Sequence, residues 1–233
     1  MMHKNLLSGL VYLALILIST YFALSLQREK PKDFRRAERR LIVRSDSVMR
    51  VLSIFDPADT AVLRAQSTDL SDRSLRSKDF RMLSAKMLRT VTDPSQDGVG
   101  IAAPQVGINR RIVAVQRFDK PGEPFEVYPN VRIDSLFGPR VCGPEGCLSV
   151  PGRRGIVPRA SDIIVSWKDP ATLQVVRDTV HGFTAVIFQH ECDHLDGKLY
   201  IDRADTVFVS PAWAAERRAF DYTRPTWWPN SID

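Results

Sequence analysis

Residues 182–197, Gly-Phe-Thr-Ala-Val-Ile-Phe-Gln-His-Glu-Cys-Asp-His-Leu-Asp-Gly, are the stretch on which the fold turns. Phe183 to Leu195 reads as one helical run, preceded by Gly182 and closed by Gly197 as a C-cap. Its centre is His190-Glu191-Cys192-Asp193-His194, an H-E-x-x-H pattern. Positions i and i+4 lie about 40° apart around a helix, so the two imidazoles point to one side. Two nitrogens one turn apart can hold one divalent metal. Glu191 lies beside them, where it can take a proton from an attacking water. A polar helix face with satisfied histidines would give the same letters. It fits poorly here, because Ala185, Val186, Ile187 and Phe188 make the run otherwise apolar.

A catalytic site of this type needs a third protein ligand and an open position. Cys147, in Glu145-Gly146-Cys147-Leu148-Ser149, is a candidate: its thiolate is a soft ligand and its glycine neighbour permits close backbone approach. Cys142 is its rival. Cys192 stands two residues from each histidine and points away from both, so it reads as a small buried hydrophobe. Three cysteines in all argue against a disulfide scaffold. A third element is Gly98-Val99-Gly100-Ile101-Ala102-Ala103-Pro104-Gln105. It follows a helix rather than a strand, so a dinucleotide fingerprint is not expected. Its glycines suit a backbone lying close to a bound peptide or metal. Gln105 can offer its amide N–H to a developing oxyanion, or can be a turn glutamine.

Elsewhere, Phe80, Leu83, Met87, Leu88 and Val91 give one apolar helical face over 79–91, ended by Asp93-Pro94. Residues 111–118, 125–133, 162–167 and 173–180 read as strands. Ser210-Pro211 opens a short helix near 212–220, and 223–233 reads as an irregular tail. Strands in the middle with few helices predict an α+β fold rather than a doubly wound sheet.

The 233 residues carry 33 Lys/Arg against 27 Asp/Glu. Nine of those bases and three of those acids fall in residues 1–44, so that segment holds the whole excess of six. The remainder is balanced and is not a basic nucleic-acid-binding domain. Leu6 to Leu26 has no charge. As a helix it would span roughly 30 Å, the hydrocarbon thickness of a bilayer. Two readings stay open: a permanent anchor, or a signal peptide cut near Ser25. The length favours the anchor. Eight Lys/Arg follow the segment and only Lys4 precedes it, which places the C-terminal side in the cytoplasm. Residues 28–48 then read as a basic juxtamembrane linker able to meet anionic headgroups. The catalytic domain is expected over 49–208.

The three motifs, in this order, resemble those of the peptide deformylase family: residues 98–105, 145–149 and 189–197. Weaker similarity runs from Arg50 to about Asp205. The resemblance implies an α+β fold with mixed antiparallel sheets packed around a central H-E-x-x-H helix. It implies removal of the formyl group from N-formyl-methionyl peptides and nascent chains. By position, Cys147, His190 and His194 would hold one divalent metal, Fe²⁺ in most members, with Zn²⁺ or another ion able to replace it. Glu191 would be the base and then the acid for the leaving amine. Gln105 and the backbone N–H of Leu148 would stabilise the oxyanion. Val99 and Gly100 would bond the peptide like an added strand. Val186, Ile187 and the His190 ring would line the methionine pocket, and Arg154 would lie near the peptide's far end. The chain departs from most members in its hydrophobic leader. Its tail after Asp205 also differs from the basic C-terminal helix common in bacterial members, so the resemblance does not extend to ribosome docking through that helix.

Two other functions fit the sequence less well. An internal zinc peptidase would need a later His or Glu ligand; no His follows His194, and Glu216 is the last Glu. A membrane-tethered module that binds N-terminal peptides without turnover would have no use for Glu191.

Overall fold

The computed structural model describes residues 30–96 and 98–209. The hydrophobic stretch at 6–26, the helix expected near 212–220 and the tail lie outside them. The compact unit that contains the motifs begins at Lys32. Among the described residues no helix is long and apolar enough to cross a membrane.

Four helices come first: α1 (Arg36–Arg44), α2 (Pro57–Leu63), α3 (Asp72–Leu75) and α4 (Lys78–Val91). Strands β1 (Gly100–Ala102), β2 (Ile112–Gln116) and β3 (Phe125–Pro129) form one antiparallel sheet in that order. Strands β4 (Arg132–Cys147), β5 (Val150–Lys168) and β6 (Val175–His181) form a second, and β7 (Thr206–Val209) pairs with β5. Helix α5 (Gly182–Leu195) follows β6. The fold is therefore mixed α and β with antiparallel sheets, the α+β class that the strand-rich middle predicts.

The expected helices form for local reasons. The Ser77 side chain caps α4 by accepting from the Phe80 N–H, and Phe80, Leu83, Met87 and Val91 carry its buried face. In α5 every residue from Thr184 to Leu195 is buried. A helix apolar on most sides can only exist inside a core; this one packs on β5, β1 and β2. Gly197 ends the turn beyond it at φ +69°, where a Cβ would collide with the Arg64 carbonyl.

The strand boundaries differ from the sequence reading. The run 125–133 is broken at Asn130, which takes φ +52°, so it becomes the end of β3 and the start of β4. The short strand expected at 162–167 is the last third of a 19-residue strand. Together β4 and β5 make a long hairpin that Gly138, Pro139, Gly143, Pro144 and Pro158 disguise as loop. The register slips between Ile133 and Ser135, between Phe137 and Arg140 around Gly138-Pro139, and between Gly146 and Cys147, while Gly143, Pro144 and Pro158 stay paired.

The span read as a linker is also corrected. Residues 32–45 are folded onto the domain rather than extended away from it. Phe34 and Ile42 join the core of Leu83 and Met87. The Arg110 guanidinium, 1% exposed, donates to both Glu38 carboxylate oxygens and to the Lys32 and Asp33 carbonyls. Lys86 Nζ donates to the carbonyls of Ile42 and Ser45.

Candidate metal centre

Helix α5 delivers His190 and His194 one turn apart, with ring centroids separated by 5.1 Å. Cys147 arrives at the end of β4, where the hairpin register slips. Its Sγ lies 3.2 Å from His194 Nε2. One ligand atom from each of Cys147, His190 and His194 falls within 4.8 Å of the others. Cys142 is no member of that cluster; it stands five residues earlier in β4, opposite Pro158. Cys192 is buried, and burial pushes its thiol up to about 12, as expected of an inert packing residue.

The donor set fits a divalent cation. The His190 Nδ1 bonds Glu145 Oε2 at 2.7 Å, so its Nε2 is the nitrogen left for a metal. The His194 Nδ1 is buried without a hydrogen-bond partner, and burial keeps that ring neutral by holding its pKa well below the ordinary value. Burial also works against a charged His190, but its interactions with Cys147 and the Glu145 carboxylate raise its pKa well above the usual range. The site thus draws positive charge to the point where the Cys147 sulfur and the imidazoles converge. A proton and a metal cation compete for that point.

A charge network holds these groups. Arg159 donates to Glu145 from Nε at 2.6 Å and Nη2 at 2.9 Å, and to Asp193 from Nη1 at 2.6 Å. Arg203 grips both oxygens of the same Asp193. Burial alone would raise the Glu145 pKa, but the bonds from Arg159 and His190 bring it down to about 2. Glu191 is different. Its Oε2 is buried with no partner, and burial lifts its pKa to about 7 against the pull of His190. A buried carboxyl near neutrality is suited to give and take a proton.

Gln105 lies in the 3₁₀ turn Ala103–Val106. Its Oε1 accepts from the Ala102 N–H at 2.8 Å, which aims Nε2 at Ser149 Oγ (3.2 Å) and Cys147 Sγ (3.5 Å). Gly100 has no room for a side chain: a Cβ there would lie 2.6 Å from Glu191 Oε1 and 2.8 Å from Ile187 Cγ2.

One cavity gathers Val99, Gly100, Gln105, Cys147, Leu148, Val186, Ile187, His190 and Glu191 in its walls. His194 stands outside that lining, and so does Arg154, which is buried on β5 opposite Gly146 and Phe208. Glu145, Arg159, Gly143 and Phe183 also line the cavity, and sequence reasoning gave none of them a role. For Glu145 a signal existed: it stands two residues before Cys147 in a strand, hence on the same face. Arg159 carried no such signal, since it meets Glu145 only through the hairpin.

The polypeptide deformylase family model matches residues 50–208. The chain is 38% identical over 164 residues to a peptide deformylase of Leptospira biflexa, covering 67% of this chain and 88% of that protein. It is 42% identical over 131 residues to peptide deformylase 2 of Bordetella bronchiseptica, covering 54% of this chain and 73% of the relative. Among solved structures, the Met-Ala-Ser-bound class I type b peptide deformylase of Acinetobacter baumannii is 33% identical. It has a TM-score of 0.59 and covers 67% of this chain and 98% of its own. The peptide deformylase of Thermotoga maritima is 30% identical at a TM-score of 0.59, covering 68% and 99%.

Proposed function

The chain belongs to the peptide deformylase family, and on that premise we propose that Cys147, His190 and His194 are the ligands of its catalytic metal. The enzyme is a metal-dependent hydrolase that removes the formyl group from N-formyl-methionyl peptides and nascent chains, giving formate and a free amine. The observation that carries the site assignment is the convergence of the three ligand atoms within 4.8 Å beside Glu191.

A divalent ion held there supplies Lewis acidity toward the formyl carbonyl and toward water. One thiolate and two imidazoles suit Fe²⁺ or Zn²⁺, and we assign Fe²⁺ by the family's habit. The H-E-x-x-H segment supplies two ligands and the base from a single helix. Glu191 takes a proton from the attacking water and returns it to the leaving nitrogen. The Gln105 Nε2–H, aimed at Cys147, and the Leu148 backbone N–H face the developing oxyanion. Strand β1 is an edge of its sheet, so Val99 and Gly100 can pair with an extended peptide. Val186, Ile187, Phe183 and the His190 ring form the walls that take the methionine side chain.

Residues 6–26 we read as a membrane anchor that leaves the catalytic domain in the cytoplasm, where formylated nascent chains are made. The charge asymmetry around the segment supports this. Export after cleavage near Ser25 is the competing outcome.

The test is anaerobic purification, metal analysis and formate release from formyl-Met-Ala-Ser. Wild type should carry one metal per chain and turn over. Glu191→Gln should keep the metal and lose about 10²- to 10⁴-fold in kcat. Cys147→Ala should lose the metal. Turnover retained in Glu191→Gln removes its role as base, and metal retained in Cys147→Ala moves the third ligand elsewhere.

A further inference from the structure

We propose that the outward face of α1 is a docking surface for an anionic lipid bilayer. For its choice of occupant the proposal rests on reading residues 6–26 as an anchor.

The orientation of α1 is fixed from inside. Glu38 is bonded by the buried Arg110, Ile42 is fully buried, and Lys86 holds the helix end. Glu38 is the only acid in the helix, and it faces inward. The opposite side therefore carries no negative charge. Arg36, Arg40 and Arg44 recur there at every fourth position, within about 80° of arc, and all three are exposed. Val43, 59% exposed, stands on the same side, and Leu41 is 39% exposed. Arg39 is set apart by its ion pair with Asp79 at 3.5 Å.

Three observations choose a membrane. Five residues lie between Leu26 and Lys32, a reach of roughly 20 Å at full extension, so an anchor at 6–26 would keep the start of the folded domain within that distance of the bilayer. Apolar side chains beside a row of arginines suit the boundary between headgroups and acyl chains. Base recognition in a nucleic acid commonly adds amides or stacking aromatics to arginines, and the exposed side chains of α1 include neither. The charge balance of the rest of the chain makes the stripe a local feature, not part of a generally basic surface.

The experiment uses a chain begun at Gln27, which keeps every contact described above, with formate release as its check on folding. Vesicle binding is measured with pure phosphatidylcholine and with added phosphatidylglycerol. Binding should require phosphatidylglycerol. The triple variant R36Q/R40Q/R44Q should lose roughly a hundredfold, about fivefold per arginine, with formate release unchanged. The triple Arg→Lys variant should bind as wild type does. Equal binding to both vesicle types, or no loss in the Gln triple, overturns the proposal. Tighter binding to a structured RNA than to vesicles at the same salt overturns it too. The anchor is tested separately: release of the full chain from vesicles by alkaline carbonate sinks the anchor, while lipid-dependent binding by the shorter chain still supports the α1 face.

Discussion

Arg159 with Glu145, and Arg110 with Glu38, are the same chemical pair in two parts of the molecule. Both arginines are buried, and each holds its carboxylate through Nε and Nη2. Their remaining bonds differ. The Glu145 carboxylate also receives His190, so that pair ends on a ring at the metal centre. Arg110 spends its other donors on Thr68 and on the Lys32 and Asp33 carbonyls, so that pair ends on backbone. A buried ion pair is weak evidence of net stability, since desolvation offsets attraction, but removing one partner strands the other. What distinguishes a positioning device from a fastener is where the carboxylate's spare lone pair goes.

The comparison breaks most visibly at Arg159. Arg159→Met leaves Glu145 and part of Asp193 unpaired. It should cost about 3–5 kcal/mol in denaturant unfolding and also weaken metal binding about 10- to 100-fold. Arg110→Met should cost a similar amount of stability, yet leave metal content and kcat/KM of the folded enzyme as in wild type. Equal metal loss in both variants would erase the distinction. Glu145→Gln comes next, with a loss of about 10- to 100-fold in metal affinity and little change in the N-terminal region. It should also flatten the acid limb of stability. The Glu145 pKa is about 2 against an ordinary 4.5, so its contribution is present above about 4.5 and lost as pH falls toward 2. The smallest change is at the exposed Arg39–Asp79 pair, where Arg39→Gln should cost about 0.2–1 kcal/mol.

The two regions were not equally readable in the sequence. His190, Glu191 and His194 sit one turn apart on a helix with its own stop signal, so local periodicity was enough. Cys147 and Gln105 stood out by residue type in short motifs. Glu38 and Arg110 are 72 residues apart, and nothing local to either announces the pair. A run of arginines between an apolar leader and a domain reads as a tether until Phe34 and Ile42 are seen to fill the core. The β4–β5 hairpin was hidden for a related reason. Its glycines and prolines are turn-formers by composition, and only the partner strand, slipping three times in register, makes them strand. Arg159 became visible as a member of the site only once that hairpin closed.

Cys147 and His194 lie 47 residues apart, on a strand end and on a helix, with β5 and β6 between them. The metal centre is therefore a ring that exists only where the hairpin and α5 are both in place. An ion that binds this site and not the unfolded chain stabilises the whole fold by mass action, because its binding free energy is lost when the loop opens. Chelation should then lower the melting temperature of the whole domain as well as silence the enzyme. Refolding with metal present should recover activity no sooner than it recovers the hairpin.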